Sequence, residues 1–118
     1  MNNIGLFQFT EESRTRLTSL AELINEPIED FVKKALYFIS AKTFNETLIN
    51  ADKSILEGLK KYAGNPELLQ SFYRANIPEV KIKEAFTSAH NFYIDKLISE
   101  CGGNFSEETI QQINGLRF

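Results

Sequence analysis

Apolar residues in this chain recur at three- and four-residue intervals along most of its length, and the exception is at the start. Ile4-Gly5-Leu6-Phe7-Gln8-Phe9 is short and aromatic, and the alternation of Phe7 and Phe9 around Gln8 predicts a β-strand with one buried face. Thr10 then offers a helix cap, with Glu11 and Glu12 behind it where the positive end of the helix dipole favours carboxylates. Leu17, Leu20, Ala21 and Ile24 supply the apolar stripe of a first helix. Asn25 suits the left-handed residue that ends a helix, and Pro27 suits the first turn of the next. From Ile28 through Phe31, Val32, Ala35, Leu36 and Ile39 to about Thr43 the spacing predicts a second amphipathic helix.

The remainder also reads as helical. Leu48, Ile49, Ile55, Leu56, Leu59 and Tyr62 form a third stripe that stops at Gly64. Asn65-Pro66-Glu67 restarts a short helix carrying Leu68, Leu69, Phe72 and Tyr73, and Asn76-Ile77-Pro78 breaks it. Ile82, Ala85, Phe86, Ala89, Tyr93 and Leu97 form the longest stripe, ended by Gly102-Gly103. Ser106 caps a last helix, with Phe105 and Ile110 at the spacing of a hydrophobic staple. Val80-Lys81-Ile82 alternates as well, and as a strand it would pair with Ile4–Phe9 inside one chain.

Composition narrows the function classes. With 118 residues, 42% of them hydrophobic, the chain can bury a core. Thirteen basic residues stand against sixteen acidic ones, so no overall positive field draws it to phosphate, and any nucleic-acid contact must be local. Neither a basic leader nor a run of about 20 apolar residues occurs, which predicts a protein of the cytoplasm with no membrane contact. Cys101 is the single cysteine and reads as a small buried hydrophobe rather than a redox or metal group.

Candidate chemistry is sparse. His90 is the single histidine, set in the middle of the longest helical stripe, and reads as a structural histidine; Glu84 and Asp95 do not stand at ligand spacing around it. Gly102-Gly103 follows a helix, not a strand, and is no phosphate loop. The acid pairs Glu11-Glu12 and Glu107-Glu108 each sit in a first helical turn, where the dipole accounts for them. No catalytic constellation is present, so an enzyme is not expected, and neither a cofactor nor a metal.

The segment Phe7-Gln8-Phe9-Thr10-Glu11-Glu12, followed by Leu17, Leu20, Ile24, Asn25 and then Glu29-Asp30-Phe31-Val32-Lys33-Lys34-Ala35-Leu36, resembles the Arc/MetJ-like ribbon-helix-helix family. The resemblance implies a mainly α fold: an N-terminal strand and two helices over residues 1–44, followed by a helical extension over residues 45–118. It also implies an intertwined homodimer, because a lone strand needs a partner and a second copy is the simplest. In such proteins the paired strands enter the major groove of double-stranded DNA. With Phe9 and Phe7 turned inward, Ile4, Leu6 and Gln8 would face the bases, where only Gln8 offers hydrogen bonds. Arg14, Arg16, Lys33 and Lys34 would supply the phosphate contacts.

Glu26-Pro27-Ile28-Glu29-Asp30 departs from that pattern, since a proline and three carboxylates stand where a phosphate would be clamped. Two functions therefore follow. One is a small dimeric DNA-binding transcriptional regulator or antitoxin-like protein whose extension binds a protein partner or effector. The other is a derived protein-interaction module, an adaptor or inhibitor, that does not bind DNA.

Overall fold

The structure is a computed structural model that describes residues 8–118, with side chains described from Thr10 onward. Among the described residues six helices follow one another: α1 Gln8–Leu23, α2 Ile28–Ile49, α3 Lys53–Lys61, α4 Pro66–Asn76, α5 Glu79–Cys101 and α6 Glu107–Asn114, with a 3₁₀ turn at Gly102–Asn104. Among the described residues there is no strand.

This corrects the expected N-terminal strand. Gln8 and Phe9, the last two residues assigned to it, lie in the first turn of α1, and Ile4 to Phe7 lie outside the described residues. A short apolar run does not distinguish strand from helix by its period alone, and Gln8-Phe9 leads into a segment whose Glu11 favours a helix start. The mainly helical class stands, whereas the ribbon-helix-helix arrangement and the intertwined dimer inferred from it lose the strand they were built on. Val80-Lys81-Ile82 lies in the first turn of α5.

The helix ends follow local chemistry. Asn25 adopts a φ of 63°, and its N–H donates to the Glu22 carbonyl at 3.3 Å while the Glu26 N–H reaches the Ala21 carbonyl at 2.9 Å. That pair of bonds is a Schellman stop, which folds α2 back along α1. Pro27 caps α2 from outside rather than entering its first turn. Asn65 accepts from the N–H groups of Glu67 and Leu68, and Ser106 accepts from Thr109. The stripe from Leu48 to Tyr62 is divided: Asn50 ends α2, Asp52 precedes α3, and Leu48 and Ile49 belong to α2.

α2 is the hub. At 22 residues it is about 33 Å long, and it runs unbroken through residues 44 and 45. Val32, Ala35, Ile39 and Thr43 form its buried line. α1 covers it with Leu17, Leu20 and Ala21, all fully buried, and α5 runs antiparallel along it with Ile82, Phe86, Ala89 and Ile94. Aromatic contacts edge the α2–α5 seam, with Phe31 and Phe38 at 6.0 and 5.5 Å from the Tyr93 ring. α3 and α4 form a second hairpin that leans on α2 through Tyr73 and Phe44, whose rings lie 5.0 Å apart. α6 adds the fully buried Ile113.

Candidate interaction cleft

Between the α3–α4 hairpin and the α2–α5 pair lies a cleft of about 610 Å³, within the size range of sites that take apolar ligands or side chains. Tyr37, Ser40, Thr43 and Phe44 of α2 form one wall, Pro66, Leu69, Gln70 and Tyr73 of α4 the other, and Ile82 and Phe86 of α5 the floor. Spacing explains the α2 wall. Residues 37, 40 and 44 share a face at three- and four-residue steps, next to the buried line of 32, 35, 39 and 43. α2 is therefore apolar over a wider arc than its core contacts require. At the rim Tyr37 is 78% exposed.

The polar atoms along the cleft are committed to the wall. Thr47 donates its hydroxyl to the carbonyls of Phe44 and Thr43, at 2.9 and 3.1 Å, so in its 2.7 Å contact with Tyr73 the phenol is the donor. Burial pushes the Tyr73 phenol above its ordinary value, against the pull of the Thr47 bond, and keeps it protonated at neutral pH. Tyr73→Phe keeps the ring on Phe44 and removes one donor, and the expected loss is about 1 kcal/mol in urea denaturation. A loss of several kcal/mol would instead mean that the hydroxyl organises the whole hairpin.

The residues expected to contact DNA do not form one surface. Ile4 and Leu6 lie outside the described residues, and Gln8 lies in α1. Arg14 and Lys33 are brought together on an α1–α2 groove with Thr18, Ile28, Glu29 and Leu36. Arg16, two residues on and so about 200° around the helix, faces elsewhere: its guanidinium sits 4.2 Å from the Phe118 ring centroid and 3.8 Å from the Glu12 carboxylate. Lys34 is exposed on α2, outside that groove. One pair of cations shares its groove with a carboxylate, and the other two are apart from it.

His90 has a serine partner that its sequence neighbours gave no sign of. Ser13 of α1 lies 2.8 Å from His90 Nδ1, and the Leu116 carbonyl lies 3.0 Å from Nε2. A carbonyl only accepts, so Nε2 carries the proton, Nδ1 accepts, and the Ser13 hydroxyl donates to it. The pair has the composition of a nucleophilic dyad, but both residues are fully buried and neither lines any of the clefts described here. Its role is to tie α1, α5 and the segment after α6 together.

A second cleft, of about 530 Å³, has a mixed lining, with Glu46, Asp52, Glu84 and Lys81 among apolar residues such as Ile55 and Ile77. Among the described residues no group of three or more His, Cys, Asp or Glu could hold a metal ion. Cys101 is half-buried rather than core, and among the described residues no helix is long and apolar enough to cross a membrane. No protein-family model, no curated protein and no solved structure matches the chain, so its functional reading rests on these residues alone.

Proposed function

We propose that this chain is a protein-interaction module that seats an amphipathic helix of a partner protein in the cleft between α2, α4 and α5. The observation that carries this reading is the cleft's lining: Tyr37, Phe44 and Leu69 present apolar surface above the buried Tyr73, Ile82 and Phe86, the form in which an amphipathic helix is taken up by its apolar face. Ser40 and Gln70 are polar groups that would fix the ligand's register. Lys33, one turn before Tyr37 on α2, is exposed and shares its groove with Arg14. The preferred ligand therefore carries apolar residues at i, i+4 and i+7 and a carboxylate at the end lying toward Lys33.

Two features weigh against the DNA-binding regulator: the net charge of −3 and the dispersal of Arg14, Arg16, Lys33 and Lys34. A phage-displayed library of 16-residue amphipathic helices, selected on the intact chain, tests the reading. Selected peptides are expected to bind at micromolar Kd and to lose at least about tenfold on Leu69→Glu, with the thermal midpoint kept. Peptides that bind the variant equally, or a selection without enrichment, would overturn it. Retarded migration of random duplex DNA at micromolar protein and low salt would favour the regulator instead.

A further inference from the structure

Leu116, Arg117 and Phe118 are fastened to the body of the protein more thoroughly than a segment beyond the last helix needs for packing alone. The Leu116 carbonyl accepts from His90 Nε2 at 3.0 Å, and the Phe118 N–H donates to Asn91 Oδ1 at 2.9 Å. Arg117 pairs with Asp95, donates to Asn114 Oδ1 at 3.0 Å and reaches the Asn91 carbonyl at 3.4 Å. The Phe118 ring stands edge-on to the imidazole at 4.7 Å and beneath the Arg16 guanidinium. His90, fully buried, lies under all of this.

We infer that His90 is a proton-operated latch: neutral, it holds the segment Leu116–Phe118 against α1 and α5, and protonated, it lets that segment go while the α1–α2–α5 core stays folded. The inference is independent of the cleft. The geometry gives the direction. In the closed state both ring nitrogens are used, Nε2 as donor to Leu116 and Nδ1 as acceptor from Ser13, so a second proton on Nδ1 breaks the bond Ser13 now donates and requires its buried hydroxyl to turn round and accept.

The charges bearing on the ring oppose that proton as well. Burial lowers the imidazole below its ordinary value; the Leu116 carbonyl works the other way, and Arg16 on α1 and Arg117 in the segment lower it further. Glu12 partners Arg16 and Asp95, one turn along α5 from Asn91, partners Arg117, so the two guanidinium groups are only partly neutralised. Lifting the segment removes Arg117 and Phe118 from the ring and lets water reach it.

The sign follows from linkage. The closed state binds the proton less tightly than the open one, whose imidazole has its ordinary value of about 6.5, so closure is fully favoured above that pH and lost as pH falls below it.

The test is amide hydrogen exchange by NMR on the intact chain between pH 7.5 and pH 5, corrected for intrinsic exchange rates, with the His90 ring proton titrated in the same samples. Protection of the Leu116 and Phe118 amides is expected to fall roughly tenfold across the window, with the midpoint of the His90 titration, while the Ile39 and Ile94 amides are unchanged. In His90→Gln, whose amide can still donate toward Leu116, the pH dependence is expected to vanish. Protection of the segment that does not change with pH, or that falls together with the core amides, would overturn the latch. Should His90→Gln fail to fold, the wild-type comparison between segment and core decides alone.

Discussion

Substituting Ile39 by alanine is expected to lower the unfolding free energy by roughly 2–5 kcal/mol, the largest loss expected for any single substitution considered in this protein. Ile39 is fully buried at the middle of α2, on the line shared with Val32, Ala35 and Thr43, in the core cluster that also holds Leu17 and Leu20 of α1 and Phe86 and Ile94 of α5. Truncation there removes dispersion contacts on both sides, and a cavity flanked by two long helices has little scope to collapse. Tyr37, two residues away on the same helix, is 78% exposed, so Tyr37→Ala should stay within about 0.5 kcal/mol. Urea denaturation of the two variants checks this contrast. A difference of less than about 1 kcal/mol would mean that α2 is not the hub of the fold.

At Gly58 the expected sign runs against helix propensity. Alanine in a helix interior is favoured over glycine by about 1 kcal/mol, yet a Cβ added here would lie 2.2 Å from Phe72 Cζ and 2.6 Å from Cε2. The α3–α4 hairpin closes on this absence of a side chain, and the Phe72 ring is also held by Tyr62, at 5.5 Å between centroids. Gly58→Ala is therefore expected to destabilise by about 1–2 kcal/mol net, the cost of overpacking exceeding the gain in propensity. In a Phe72→Leu background the ring is gone, and the same change should stabilise by up to about 1 kcal/mol. A thermal double-mutant cycle reads the reversal directly. Gly58→Ala stabilising in both backgrounds would show that α3 and α4 do not approach as closely as described.

These two predictions concern contacts of different legibility. What lay within a few residues was readable: Asn25 as a left-handed stop, Asn65 and Ser106 as caps and Gly102-Gly103 as the end of the longest helix all follow from local backbone chemistry. The expected strand failed for the reason that short apolar runs fail, since Gln8-Phe9 fits a helical turn as well as a pleat, and Glu11, which favours a helix start, does not fix on which residue the helix begins. What depended on distant residues was not readable. Ser13 and His90 are 77 positions apart, and no spacing rule joins them.

The cleft was hidden in another way. Leu69 and Phe86 each stand in an apolar helical stripe, and periodicity reports that a face is apolar and is silent on whether anything covers it. One signal was available. Tyr37 and Phe44 widen the apolar arc of α2 beyond the single stripe that a partner helix fills, and a widened arc marks a second contact surface. The scatter of the cations was also readable in part, since Arg14 and Arg16, two apart on a helix, could not share a face.

The cleft as the seat of a partner helix is the central claim, and a methyl NMR titration tests it most directly. The intact chain, ¹³C-labelled at Ile and Leu methyls, is titrated with a peptide selected from the helical library. Shifts are expected at Leu69 and Ile82, which line the cleft, while Ile49 and Ile113 stay unmoved. Shifts at Ile28 and Leu36 without Leu69 and Ile82 would place the ligand in the α1–α2 groove and contradict the account.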